Sequence, residues 1–137
     1  MNVVTENMPI FVQIAEGIKD AILSGELKEG EKTPSTTYIS TNYDVNIATV
    51  NKGFNLLVSE NILYKKRGIG MFVAEGAVER LIKERRAVFK EHYIIGALEE
   101  ARRLRYTVQD IQAMVEEVYH PDENAPDAPG QDHDDTP

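Results

Sequence analysis

Apolar residues recur at helical spacing from the start of the chain. Ile10, Ile14, Ile18, Ala21 and Ile22 fall three and four apart, the period of one helix face. The pattern predicts a first helix over residues 8–24. Pro9 suits its first turn and Gly25 its stop. Residues 27–33 are short and turn-rich. Pro34-Ser35 opens a second helix with Ser35 as N-cap, ending near Asn42. Asp44-Val45 makes a tight turn, and Asn46 caps a third helix running to about Glu60. Its apolar face reads Ile47, Val50, Phe54, Leu57 and Val58. Two short helices joined this closely fit a helix-turn-helix. Residues 62–66 and 71–73 then flank Arg67-Gly68-Ile69-Gly70, whose glycines allow positive backbone dihedrals. This hairpin reads as a wing.

Residues 77–106 read as one long helix. Val78, Leu81, Val88, Ile95 and Leu98 mark its apolar stripe, interrupted by Arg85 and His92. Thr107 and Asp110 have the spacing of a capping box and start another helix. Ile111, Val115 and Val118 line one face of it, and it stops before Pro121. The predicted fold class is therefore mainly α. A winged helix-turn-helix with a small β-hairpin wing occupies residues 1–75, two dimerisation helices occupy 76–119, and an acidic, disordered tail occupies 120–137.

Charge first argues against nucleic acid: the net charge is −8 over 137 residues. Its distribution changes that picture. The tail from His120 carries six acids and no lysine or arginine, which leaves 17 acids against 15 bases in residues 1–119. Local patches decide phosphate affinity more than the total does. The absence of cysteine excludes disulfides and is compatible with a reducing cytoplasm, the expected location. No basic segment followed by an apolar stretch suggests a secretory signal, and no apolar run is long enough for a membrane span. No Gly-rich phosphate loop, nucleophile elbow or zinc signature is present. No enzyme activity, cofactor or metal site is expected.

Several segments together resemble the GntR (gluconate-repressor) family of bacterial regulators. They are Pro9-Ile-Phe-Val-Gln-Ile14, Ile22-Leu-Ser-Gly-Glu-Leu27, Gly30, Pro34-Ser35, Val45-Asn-Ile-Ala-Thr-Val50 and Arg67-Gly-Ile-Gly-Met-Phe-Val73. Their order and spacing cover residues 8–75. The short two-helix C-terminal region is similar to the YtrA-like subfamily. The resemblance implies a repressor that dimerises through its C-terminal helices, with transporter genes as frequent neighbours. The chain also departs from the family pattern. Thr37, Ile47 and Asn51 stand where arginine is frequent, so the usual bidentate contacts to guanine are not available.

The third helix is the expected reader of the major groove. Asn46, Thr49, Asn51 and Lys52 form its polar side. Asparagine pairs with adenine, and threonine reaches phosphate or a thymine methyl. Asn46 also reads simply as a cap. Ile47 is assigned to the core rather than to the bases. Ser35 and Thr37 are phosphate donors if the second helix crosses the backbone, and Ser35 equally reads as a plain N-cap. Tyr38 suits a phosphate contact or edge packing. Lys65, Lys66 and Arg67, the one basic run in residues 1–75, lie beside the wing tip, where Gly68 admits close approach to DNA.

Val78, Leu81, Val88, Ile95, Leu98, Ile111, Val115 and Val118 are expected at a two-fold interface between copies of the chain, the alternative being packing on the chain's own winged domain. Little room remains for a buried effector pocket. A small-molecule effector, if one exists, would bind between subunits or between the winged domain and the helix pair. Arg85, Arg86, His92, Arg102, Arg103 and Arg105 could meet an anion there, the alternative being a solvated surface or pairs with glutamates at helical spacing. His92 reads as a buried, hydrogen-bonded histidine. The rival to operator binding is a protein–protein adaptor that has kept the winged fold and lost DNA.

Overall fold

The structure, a computed structural model, describes residues 7–124. It is mainly helical with one two-stranded antiparallel hairpin. The first six residues, on which the absence of a secretory signal was read, and the tail beyond Asn124 lie outside the described residues. The chain divides after His92 into two compact units.

In the first unit, α1 (Ile10–Leu23) packs on α3 (Ile47–Ser59), and α2 (Thr36–Tyr43) packs on α3. β1 (Leu63–Lys66) and β2 (Gly70–Val73) form the wing, with Lys65 opposite Met71 and Lys66 opposite Gly70. Residues 27–33 do more than turn. Lys32 bridges Phe72, Thr33 N–H donates to the Met71 carbonyl at 2.9 Å, and Val73 N–H donates to the Glu31 carbonyl at 3.0 Å. The segment thus flanks β2 on the side away from β1.

Ala15, Ile18 and Ile22 of α1 meet Val50, Phe54 and Leu57 of α3 in one core. Ile62, Leu63 and Val73 from the hairpin close it from the side. Full burial of a side chain such as Phe54 stabilises by roughly 1.5–3 kcal/mol. At the α1–α3 crossing only glycine fits. A Cβ on Gly53 would lie 2.8 Å from the Phe11 carbonyl oxygen and 3.3 Å from Ile14 Cγ2. Alanine in a helix interior ordinarily gains about 1 kcal/mol over glycine. Here the backbone clash reverses the sign, and Gly53→Ala is expected to lose about 1–2 kcal/mol, read as a lowered urea midpoint with unchanged slope.

The helix α4 (Ala77–Phe89) corrects two expectations. It belongs to the winged unit, because Ala77 and Leu81 complete that unit's core and α4 packs on α1. Leu81 is 0% exposed and so cannot serve a partner subunit, while Val78 packs partly on the same core. Residues 77–106 are not one α-helix either: a π-helical stretch, Lys90–Ile94, separates α4 from α5 (Ile95–Arg103). Periodicity misses it, since helical spacing continues on both sides. His92 is exposed rather than buried.

Polar contacts hold α4 in place. The Glu29 carboxylate accepts from Gly76 N–H at 2.7 Å and Val78 N–H at 3.2 Å, capping the helix start from a distant loop. Lys19 of α1, its side chain 3% exposed, lies 2.8 Å from Glu60, 3.0 Å from Glu84 and 3.4 Å from Glu16. Burial alone would lower its pKa. Hydrogen bonds to Glu60 and Glu84 and the charges of Glu16 and Glu60 outweigh that and raise it above the ordinary lysine value. Arg85 bridges Glu16 at 3.0 Å and Asp20 at 2.6 Å. These partners belong to α1 and do not stand at helical spacing along α4, where pairing was expected.

In the second unit, α5 ends in a Schellman-type cap. Arg105 adopts φ 63°, and Tyr106 N–H donates to the Ala101 carbonyl at 3.0 Å. The capping box then forms as predicted: Asp110 N–H to Thr107 Oγ1 at 3.1 Å, and Thr107 N–H to Asp110 Oδ2 at 2.8 Å. α6 runs Val108–Tyr119. A short helix, α7 (Pro121–Asn124), occupies the start of the segment expected to be disordered.

Candidate nucleic-acid interface

Ser35 caps α2 by accepting from Tyr38 N–H at 3.0 Å. A hydroxyl that accepts in this way still has its own proton to donate, so capping does not preclude a phosphate contact. Thr37 and Tyr38 are exposed on the same helix. The connection to α3 is tight. Asp44 takes a left-handed conformation, φ 52°, and Ser40 donates its hydroxyl to the Val45 carbonyl at 2.6 Å. Asn46 then caps α3, accepting from Ala48 N–H at 2.8 Å.

The first turns of α3 carry no acidic residue. Asn46, Ala48 and Asn51 are exposed, and Thr49 is half-buried. Ile47, expected in the core, is 44% exposed. The core takes Val50, Gly53, Phe54 and Leu57 from this helix and leaves Ile47 outside. Lys52 is exposed, but its ammonium sits 4.2 Å from the centre of the Phe11 ring. A cation–π contact of that kind draws it toward α1.

The wing turn places Gly68 at φ 77° and Gly70 at φ 145°, where side chains are strained. Tyr64 and Phe72 stack across the hairpin at 5.7 Å. Lys66 lies over Phe72 at 4.5 Å. The aromatic pair thus orients a charge while leaving it in solvent. Lys65 and Arg67 are exposed beside it.

These elements converge. Ser35 from the α2 start, Asn51 from α3 and Lys65, Ile69 and Gly70 from the wing line one groove, together with Lys32. The groove lining holds two lysines and no carboxylate. Thr37, Asn46, Thr49, Lys52, Lys66, Arg67 and Gly68 are not part of that lining. Lys32 was missed in the sequence. Its stem crosses Gly70, where an added Cβ would meet Lys32 Cε at 2.8 Å. Its position two residues before Pro34-Ser35 was the available signal. Among the described residues, no group of three or more His, Cys, Asp or Glu side chains could hold a metal. No described helix is long and apolar enough to cross a membrane.

The family model described as bacterial regulatory proteins, gntR family, matches residues 11–73. The chain is 34% identical over 83 residues to the transcriptional repressor YtrA of Bacillus subtilis (strain 168). That match covers 61% of this chain and 64% of YtrA, so it spans just under two thirds of that relative. A transcriptional regulator of the GntR family from Bacteroides thetaiotaomicron is 32% identical, with TM-score 0.61 over 82% of this chain and 98% of that one. A GntR family regulator from Listeria monocytogenes is 26% identical, with TM-score 0.65 over 82% of this chain and 96% of that one. With the winged unit matched from α1 to β2 and a solved relative covered almost end to end, the chain belongs to the GntR family of bacterial regulatory proteins.

Proposed function

We propose that the chain is a sequence-specific DNA-binding regulator, acting as a homodimeric repressor on a palindromic operator. The observation that carries this reading is the groove where the α2 start, the exposed side of α3 and the wing meet with two lysines and no carboxylate. The α3 start is the element for the major groove, and Ser35 and Thr37 are donors to the flanking backbone. Asn46, Thr49 and Asn51 offer hydrogen bonds to base edges or phosphate. Lys65, Lys66, Arg67 and the Gly68 backbone grip the adjoining strand. Lys52 contributes its charge from the α1 side.

One winged unit covers one half-site, so a second copy gains affinity through effective concentration. Val88, Ile95, Leu98, Val115 and Val118 are exposed apolar residues, Val118 at 78%. Leu98, Ile111 and Val115 line an apolar pocket of 420 Å³ between α5 and α6. Exposed apolar surface on this scale marks an interaction site, and a second copy is its occupant in this reading. YtrA carries the name of a repressor. Repression and control of a transporter operon are the role that similarity to the YtrA-like subfamily implies, with a cytoplasmic location.

The test is fluorescence anisotropy with duplex from the region upstream of the chain's own gene, at about 50 and 200 mM salt. Sedimentation at micromolar concentration accompanies it. Saturable binding that weakens steeply with salt, by a dimer, is expected. A monomer that ignores every duplex at the lower salt would leave the adaptor reading in its place.

A further inference from the structure

We infer that Ile47 reads a base: its aliphatic side chain packs on the 5-methyl group of a thymine, and the operator half-site carries thymine opposite the first turn of α3. The inference rests on the DNA-binding reading above. Ile47 is the first residue of α3, beside the Asn46 cap, and is 44% exposed. Helical spacing sets it one turn from Asn51 on the same side, and Asn51 lines the groove with Ser35 and Lys65. A helix end that enters the major groove at Asn51 therefore brings Ile47 to the base edges.

The chemistry on that side selects A·T pairs twice over. Thymine presents the one apolar group in the major groove, and apolar side chains recognise it. Asn51 has the donor and acceptor that pair with adenine N6 and N7. Ala48, next to Ile47, is also exposed and apolar. Against guanine, Ile47 would strip water from the O6 and N7 acceptors and return no hydrogen bond, which penalises G·C at that position. Lys52, the one charged residue of α3, holds its ammonium 4.2 Å from the Phe11 ring, on the α1 side of the helix.

The full chain is used to select a preferred operator from a random duplex pool, and each thymine is then replaced in turn by uracil, which lacks only the methyl group. At one or more positions per half-site, uracil is expected to weaken binding about fourfold. Ile47→Ala should abolish that sensitivity at one such position, and Ile47→Val should retain part of it. A selected operator that is indifferent to uracil throughout, that has no thymine, or that loses the same factor with Ile47→Ala overturns the inference and leaves DNA binding intact. Failure to enrich any sequence refutes the DNA-binding reading itself, and the inference falls with it.

Discussion

Replacing Lys66 and Arg67 together by alanine is expected to weaken binding to operator and to unrelated duplex by the same ten- to hundredfold, roughly, at physiological salt. Both side chains are exposed, so the fold survives the change. Each is assigned to a phosphate, and a charge-assisted hydrogen bond is worth about 1 kcal/mol or more. Their loss also removes two released counterions, which flattens the slope of log affinity against log salt by about 1.8. Base-edge contacts from α3 are untouched, so the ratio of specific to non-specific affinity stays constant. Anisotropy titrations across a salt series measure all three quantities. An unchanged slope would place the wing away from DNA. A small stability loss accompanies the change, because Lys66 gives up its place over Phe72.

Lys19→Met is expected to cost about 2–3 kcal/mol of stability at neutral pH, discounted from the usual cost of breaking a buried ion pair because the carboxylates are partly exposed. The methionine fills the space and returns no charge. Glu16, Glu60 and Glu84 are left facing one another around a site that held their shared cation. The pH dependence follows from linkage. The folded state raises the Lys19 pKa above its ordinary value of 10.5. Its contribution is therefore complete below that value and is lost as pH climbs through the folded pKa. Urea unfolding of parent and variant should show a constant gap from neutral pH to about pH 10 that narrows in stronger alkali. A gap that persists there would show that the charge of Lys19 is not the source of the stability.

What could be read from the sequence was short-range chemistry. Ser35, Asn46 and the Thr107–Asp110 pair cap helices through bonds that close within three residues, so composition and spacing suffice. The wing was legible for the same reason, since Gly68 and Gly70 meet a local dihedral demand. The Lys19 cluster was not, because its carboxylates come from α1, the end of α3 and α4, which only the fold brings together. Glu29 capping α4 belongs to the same class. Leu81 and Ile47 show the limit of periodicity in opposite directions. Apolar spacing marks a side of a helix and not how far along it the neighbours reach. Spacing therefore assigns Leu81 to a partner although it is sealed in the core, and assigns Ile47 to the core although it stands outside. At the candidate site, the residue types at the α2 start, on α3 and in the wing were legible. That Lys32 and Lys65 share a groove with Asn51 required the hairpin and the strand-like segment before α2.

That segment has a consequence for the protein in concentrated solution. A two-stranded ribbon ordinarily offers two open edges to any extended chain that drifts past, and such edges seed aggregation. Here Glu31, Lys32 and Thr33 already occupy the far side of β2. The edge left to β1 is four residues long and bears Lys65 and Lys66, and two ribbons meeting there would bring like charges together. The lysines proposed to hold phosphate thus also discourage strand-to-strand association when no duplex is bound.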